Sequence, residues 1–332
     1  MISLLVCSRI SGNKNFALFN FLDSLKRMSS NYENFEVLVK FDSDDRKVKR
    51  LLPKLDTYPF KVKHVIEPRG RGYADLHIFY NSLFSQVDKR SVVIGAMADD
   101  FEIIQQGWDE IILSKTNVFP DQIFIIHGRP HPPHLRKDYQ ERKFYLDFDI
   151  NSLDKFYIDE APLWSRKLLE TCGGLGHSPF TDAWTVMLEY YLFHRCGINR
   201  TIFLEQPIEI RRIRKEVDSI VSLRYWTDRA NNFAFMKGRF YNTLVEQQAV
   251  NIYCNIKAAE KSALPPPLVQ KELDYKPADL PPIPFEIRVL GIFPVFMHPG
   301  LLRLYWSLYP RLSSISFLRR LKRSLERRLF HT

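Results

Sequence analysis

The run VVIGAMADDF, residues 92–101, carries an apolar segment straight into two adjacent carboxylates, Asp99 and Asp100. Neighbouring carboxylates repel each other and resist desolvation, so a pair at the end of a buried run calls for a positive partner. A second acidic cluster, Asp42-Ser43-Asp44-Asp45, closes the run FEVLVKFD and extends past it. Hard cations such as Mg2+ and Mn2+ take oxygen ligands and commonly combine one or two carboxylates with substrate phosphates, so the two clusters suit a cation bound to a diphosphate. The competing structural account makes Asp42–Asp45 an Asx-type turn that caps the next helix, and Asp99-Asp100 a solvated loop or cap. Ser8 and Arg9 end the first apolar run, ISLLVCS. The turn Arg69-Gly70-Arg71-Gly72 ends another, and its two guanidinium groups could meet phosphate oxygens in bidentate fashion. That G-x-G lacks the further glycine of a dinucleotide fingerprint, and both arginines also fit an ordinary surface loop.

These groups have to be brought together by the elements that carry them. Over the first hundred residues, strand-like runs (ISLLVCS, FEVLVKFD, FKVKHVIE, VVIGAMADD) alternate with helix-like ones (NFALFNFLDSLKRM, RKVKRLLPKL, ADLHIFYNSLFSQV). This βαβαβαβ series predicts an α/β fold, a doubly wound and mainly parallel sheet with helices on both faces, whose ligands bind beyond the carboxyl ends of the strands. Every acidic or arginine cluster named above falls at such an end. A further buried strand is expected in QIFIIHG (122–128), followed by a polar His/Pro/Arg-rich loop, 129–143. A helix is predicted from Ser178, with Pro179 in its first turn and Gly197 as its stop. Its apolar face would carry Trp184, Met187, Leu188, Tyr191 and Leu192, with Asp182 in its first turn, where the helix dipole favours a carboxylate whatever its function.

The 332 residues are 45% hydrophobic, enough for a sizeable core. Four cysteines without C-x-x-C spacing argue against zinc or a dithiol and for a reducing, cytoplasmic setting, and no signal peptide or membrane span is read. His127, His177 and His194 have no partner at metal-ligand spacing and read as structural or surface residues. The net charge of +10 is concentrated in residues 286–332, where nine Lys and Arg face only Glu286 and Glu326. Proline-rich stretches at 264–267 and 280–284 mark 258–285 as a linker. The organisation expected is therefore a domain over 1–215 (nucleotide side 1–115, acceptor side 116–215), a helical extension over 216–257, the linker, and a basic amphipathic segment over 286–332. Trp306, Tyr305 and Phe317 grouped with leucines opposite the arginines suit an anionic membrane surface, while a helix packed on the main domain is the alternative. Nucleic acid is not expected, since the aromatics are not interleaved with the basic residues.

Taken together, the opening strand, FEVLVKFDSDD, the turn RGRGY with its helix, and VVIGAMADDF followed by Gly107-Trp108-Asp109 resemble the nucleotide-sugar-binding half of a family 2-like glycosyltransferase of the GT-A fold. The resemblance covers about residues 1–115 well and 116–212 loosely. It implies a nucleotide-diphosphate sugar donor, foremost a UDP-sugar, a glycan or lipid-linked acceptor, and Mn2+ or Mg2+ as cofactor. By position it implies Asp42, with Asp44 or Asp45, at the nucleobase beside Ser8 and Arg9, and Asp99 and Asp100 at ribose and metal. It implies Asp182 as the base that takes the acceptor proton, in an inverting transfer. A family triplet often begins with Asp where Met97 or Ala98 stands, which favours a second account, a nucleotide- or membrane-binding module without turnover. A nucleotidyltransferase ranks lower, because no glycine-rich, lysine-bearing phosphate loop lies near the N-terminus.

Overall fold

Alternation of buried runs with one-sided ones builds the fold that the sequence predicts. The computed structural model describes residues 1–10, 17–70, 75–128, 161–176, 181–212 and 239–261, all within one compact unit. Strand β1 (Ile2–Ser8) is followed by helix α1 (Ala17–Met28), which buries Leu18, Phe21, Leu22 and Leu25 and places Lys26 and Arg27 in its last turn, where the helix dipole favours cations. Then come β2 (Phe35–Asp42), α2 (Val48–Leu55), β3 (Lys61–Glu67), α3 (Leu76–Phe84), β4 (Val93–Ala98), β5 (Phe101–Ile103) and α4 (Trp108–Leu113). The second half supplies β6 (Ile125–His127), β7 (Leu163–Ser165), α5 (Arg166–Cys172), α6 (Thr181–His194), β8 (Thr201–Phe203), β9 (Ile210–Arg212) and α7 (Arg239–Lys261).

Among the described residues, seven strands form one sheet in the order β3-β2-β1-β4-β7-β6-β8. All neighbouring pairs in β3-β2-β1-β4 are parallel, β7 runs antiparallel to both β4 and β6, and β8 is parallel to β6. The sheet is thus mainly parallel, with one reversed strand. A separate antiparallel ribbon joins β5 to β9. Its Glu102 accepts from Arg27 and Arg211, and Ile103 N–H donates to Ser24 Oγ at 3.0 Å, which fastens the ribbon to α1.

The core lies between sheet and helices, where Phe35 packs against Trp108 and Phe60 with ring centroids 5.0 and 4.8 Å away. The β2 strand is buried along its whole length, including Glu36 and Lys40. Glu36 Oε1 accepts from Ser3 Oγ (2.8 Å) and the Asp88 N–H (2.6 Å), and Lys63 Nζ forms an ion pair with Oε2 at 2.9 Å, which offsets the buried charge.

Two expectations need adjusting. The α6 helix is buried on nearly every side, Trp184, Thr185, Val186, Met187, Leu188 and Glu189 in succession, and not along a single stripe. The cause is α7, which packs along α6 and α5 and covers the face that sequence periodicity leaves to solvent. Trp184 Nε1 donates to Gln248 Oε1 of α7 at 2.9 Å, and Gln248 Nε2 donates to the Cys172 carbonyl at 3.0 Å. The α7 helix also runs to Lys261, past residue 258, where the sequence places the start of the linker. Ser178, Pro179 and residues 286–332 lie outside the described residues.

Candidate nucleotide and metal site

The parallel register sets the level at which the strands end. Ser8 is opposite Phe41 on β2, Cys7 is opposite Ala98 on β4, and Asp42 is opposite Glu67 on β3. Ser8, Asp42 and Asp99 therefore emerge side by side, and hydrogen bonds join them to their neighbours. Ser8 Oγ donates to Asp99 Oδ2 at 2.7 Å. Arg9 Nη1 donates to Asp42 Oδ2 at 2.8 Å, and the Arg9 guanidinium grips both oxygens of Asp44 at 2.6 and 3.1 Å. Residues from three separate strand ends thus form one polar cluster, at the edge where a doubly wound sheet binds its ligands.

Each member has a distinct role. Asp42 is largely buried and Asp44 exposed, so Arg9 spans the boundary between protein and solvent. Hydrogen bonding to Asp44 and then Asp42 raises the Arg9 pKa further above its already high value. The same contact with Arg9, helped by the more distant Arg69, holds the Asp44 carboxyl below its ordinary value. Asp45 is a tie in the backbone: Oδ2 accepts the Ile10 N–H at 2.6 Å and Oδ1 accepts the Lys47 N–H at 3.1 Å. This is the Asx-type role, and it fixes the exit from β1 against the turn after β2. Cys7 sits beneath the cluster. Burial, reinforced by Asp42, Asp99 and Glu67 and opposed by Lys40, pushes its thiol pKa well up, so it remains a neutral thiol.

Two residues of this edge are absent from the sequence-based selection. Lys40 is buried within β2, with Nζ 2.6 Å from Asp42 Oδ1, 3.2 Å from the Pro68 carbonyl and 3.6 Å from the centre of the Phe79 ring. A lysine set between Val39 and Phe41 in a strand-like run was the available signal, because a buried ammonium requires a partner. Asp75 is buried just before α3, and its Oδ2 lies 2.6 Å from the place a Cβ on Gly70 would occupy. With φ at +54°, Gly70 is the residue type that this close, left-handed turn demands.

Asp99 and Asp100 follow β4 in a half-buried turn. Among the described residues, no group of three or more His, Cys, Asp and Glu side chains is placed to hold a metal. Two adjacent carboxylates such as Asp99 and Asp100 would suit a hard cation that takes its remaining ligands from diphosphate and water, and would not make an all-protein cage. Of Met97 and Ala98, at one of which the family triplet often has its first acid, Met97 is buried and Ala98 half-buried.

Asp182 is placed by another route. Half-buried in the first turn of α6, it follows the turn Gly173–Gly176. That turn is tied to α3 by Asn81, whose Oδ1 accepts the Leu175 N–H at 2.8 Å and whose Nδ2 donates to the Leu175 carbonyl at 3.0 Å. From the same helix, Tyr80 Oη reaches the Met97 carbonyl at the end of β4 at 3.4 Å. Arg69 is exposed just past β3, and Arg71 lies outside the described residues.

The Gly107-Trp108-Asp109 stretch builds scaffold. Asp109 is wholly buried and accepts from the Ser30 N–H (2.8 Å), the Asn31 N–H (3.1 Å) and Asn34 Nδ2 (2.8 Å). His127 pairs with Glu189 at 2.7 Å inside the core, and Thr201 Oγ1 donates to the same carboxylate oxygen at 2.7 Å. This agrees with a structural histidine. All four cysteines are free, and no helix among the described residues is long and apolar enough to cross a membrane.

No family model and no curated protein sequence matches the chain. Among solved structures it is similar to Staphylococcus aureus TarS 1–349 in complex with UDP-GlcNAc, at 13% identity and a TM-score of 0.48, over 76% of this chain and 71% of that one. It is also similar to the mannosyltransferase PcManGT of Pyrobaculum calidifontis in complex with GDP-Man and Mn2+, at 14% identity and a TM-score of 0.47, over 80% and 76% of the two chains. A third, glucosyl-3-phosphoglycerate synthase of Mycobacterium tuberculosis with Mg2+ and UDP, has 11% identity and a TM-score of 0.42 over 70% and 79%.

Proposed function

We propose that the protein is a glycosyltransferase that moves a sugar from a nucleotide-diphosphate donor, foremost a UDP-sugar, to a hydroxyl of a glycan or lipid-linked acceptor. The observation that carries the proposal is the cluster at the carboxyl edge of β1, β2 and β4, where Ser8 meets Asp99 and Arg9 meets Asp42 and Asp44. The nucleoside lies against Arg9, Asp42 and Asp44, and the ribose against Asp99. Asp99 and Asp100 are the residues that would hold Mn2+ or Mg2+, which when bound offsets charge on the leaving diphosphate.

Transfer proceeds by direct displacement with inversion. The acceptor oxygen forms a bond to the anomeric carbon as the bond from that carbon to the diphosphate oxygen breaks, and the bonding pair leaves with the nucleoside diphosphate. Asp182 takes the hydroxyl proton. Asp182→Asn therefore keeps donor binding and abolishes transfer, and full turnover by that variant would remove Asp182 from the role. Residues 286–332 dock the enzyme on an anionic membrane surface, where a lipid-linked acceptor resides.

A second account, nucleotide binding without turnover, is favoured by the apolar Met97 and Ala98, which stand where the first acid would be. Donor binding that is indifferent to Mn2+ and followed by no transfer to any acceptor would select it.

A further inference from the structure

The Lys40 ammonium is a buried point at which groups from the ends of β2 and β3 and from α3 meet. Its side chain is 2% exposed, and Nζ touches Asp42 Oδ1, the Pro68 carbonyl and the Phe79 ring. Asp42 thus has one oxygen held by Lys40 from below and the other held by Arg9 from the rim. Two cations on opposite oxygens leave the carboxylate little rotational freedom. Pro68 opens the turn that carries Arg69 and the left-handed Gly70, and Ser43 N–H donates to the Glu67 carbonyl at 2.8 Å. Beside that backbone bond, the same ammonium adds a side-chain link between the acidic turn after β2 and the arginine turn after β3.

We propose that Lys40 is a positioning residue for the nucleoside subsite. It acts through Asp42 and the Pro68 carbonyl to hold the two turns at the separation a nucleotide needs, and it does not touch the nucleotide itself. The proposal rests on the assignment of this edge to nucleotide binding. A lysine there has a cost in desolvation that a methionine of similar length would avoid, and the compensation comes from the two oxygens and the ring it organises. Its stem is the right length for that work, because Nζ reaches across from the β2 pleat to the carbonyl of the neighbouring chain segment.

The test is a double-mutant cycle with UDP as the probe, on the full chain with Mn2+, using Lys40→Met, Asp42→Asn and the pair. Loss of a charge-assisted hydrogen bond predicts that Lys40→Met raises the UDP Kd by about tenfold. In the Asp42→Asn background the same substitution should raise Kd by clearly less than about tenfold, because the contact with the carboxylate is already weakened and only the hold on the Pro68 carbonyl remains to be lost. A general loss of structure would instead multiply the two effects, and that result overturns the proposal. Amide exchange supplies a readout independent of any nucleotide: Lys40→Met should accelerate exchange at Ser43, Arg69 and Gly70. Unchanged exchange at all three also overturns it. Should the Met variant fail to fold, the Lys40 ammonium 15N resonance of the wild-type protein is followed during UDP addition, and a resonance unmoved at saturation refutes the role. A wild-type protein that binds neither UDP nor GDP would sink the nucleotide assignment, while the exchange result would still decide whether Lys40 clamps the two turns.

Discussion

Replacing Gly174 by alanine strikes the joint on which the placement of Asp182 depends. Gly174 has φ at +121°, a region that L-residues rarely enter, and an added Cβ would collide with Asn81 Oδ1 and lie 3.2 Å from its Cγ. Backbone strain at such a position costs about 1–3 kcal/mol. The collision adds to it, because Asn81 cannot withdraw without giving up its two bonds to Leu175, a residue whose side chain is wholly buried. Each bond contributes about 1 kcal/mol, and groups left unpaired cost more, so Asn81→Ala alone should destabilise by about 2–3 kcal/mol. The two substitutions share a contact and cannot add: Asn81→Ala removes the atom that the new Cβ meets. The double variant should be less destabilised than the sum of the singles by about 1–2 kcal/mol, with the strain at residue 174 remaining. Equilibrium urea denaturation of the four proteins measures this directly. Additivity within about 0.3 kcal/mol would refute the claim that the glycine is required by Asn81. Because the turn leads into α6, Gly174→Ala should also slow sugar transfer while leaving nucleotide binding at the β1–β2–β4 edge intact.

Further expectations follow from the other contacts. Asp109→Ala strands three donors that now share one buried carboxylate and should cost about 3–5 kcal/mol in urea denaturation; a loss under about 1 kcal/mol would contradict the scaffold role. Arg9→Met should let the Asp44 carboxyl titrate nearer its ordinary value in a carboxyl-detected NMR titration. Because Asp44 is depressed in the folded protein, its contact with Arg9 stabilises the fold above the unfolded carboxylate value, and that contribution fades as pH falls through the depressed one. The variant should lose this acid-side dependence, and an unmoved Asp44 titration would show that Arg9 is not its cause. Liposome flotation with and without residues 286–332 tests membrane docking: binding should require anionic lipid and the segment, and equal partition into neutral vesicles would contradict it.

The architecture was legible because its signals are local. Apolar runs of strand length alternate with amphipathic helices, and polar clusters fall at the strand ends, so β1 to β4 and their helices follow from periodicity. The reversed strand β7 was not legible, since the three residues Leu163–Ser165 carry no periodic signal and nothing local encodes direction. The all-round burial of α6 depends on α7, a helix distant in sequence that packs against it. Within the site, Asp42, Asp44 and Asp99 were readable as acids at strand ends. The split between Asp45, held by backbone N–H groups, and Asp44, held by Arg9, depends on which way each side chain leaves a turn, and that is decided by residues at the end of β1. Lys40 was hidden for a related reason: its partners, Asp42 and the Pro68 carbonyl, lie on its own strand and on the segment after β3, and only the register brings the latter within reach.

The central claim is that the edge built by Ser8, Arg9, Asp42, Asp44, Asp99 and Asp100 binds a nucleotide-diphosphate sugar with a divalent cation. Isothermal calorimetry of the wild-type protein and of Asp99→Asn, with UDP-, GDP-, CDP- and dTDP-sugars in the presence and absence of Mn2+, addresses it most directly. Binding of at least one donor that strengthens with Mn2+ and is lost in Asp99→Asn is the predicted result; no binding of any donor by the wild-type protein, or binding that Asp99→Asn leaves unchanged, would contradict it.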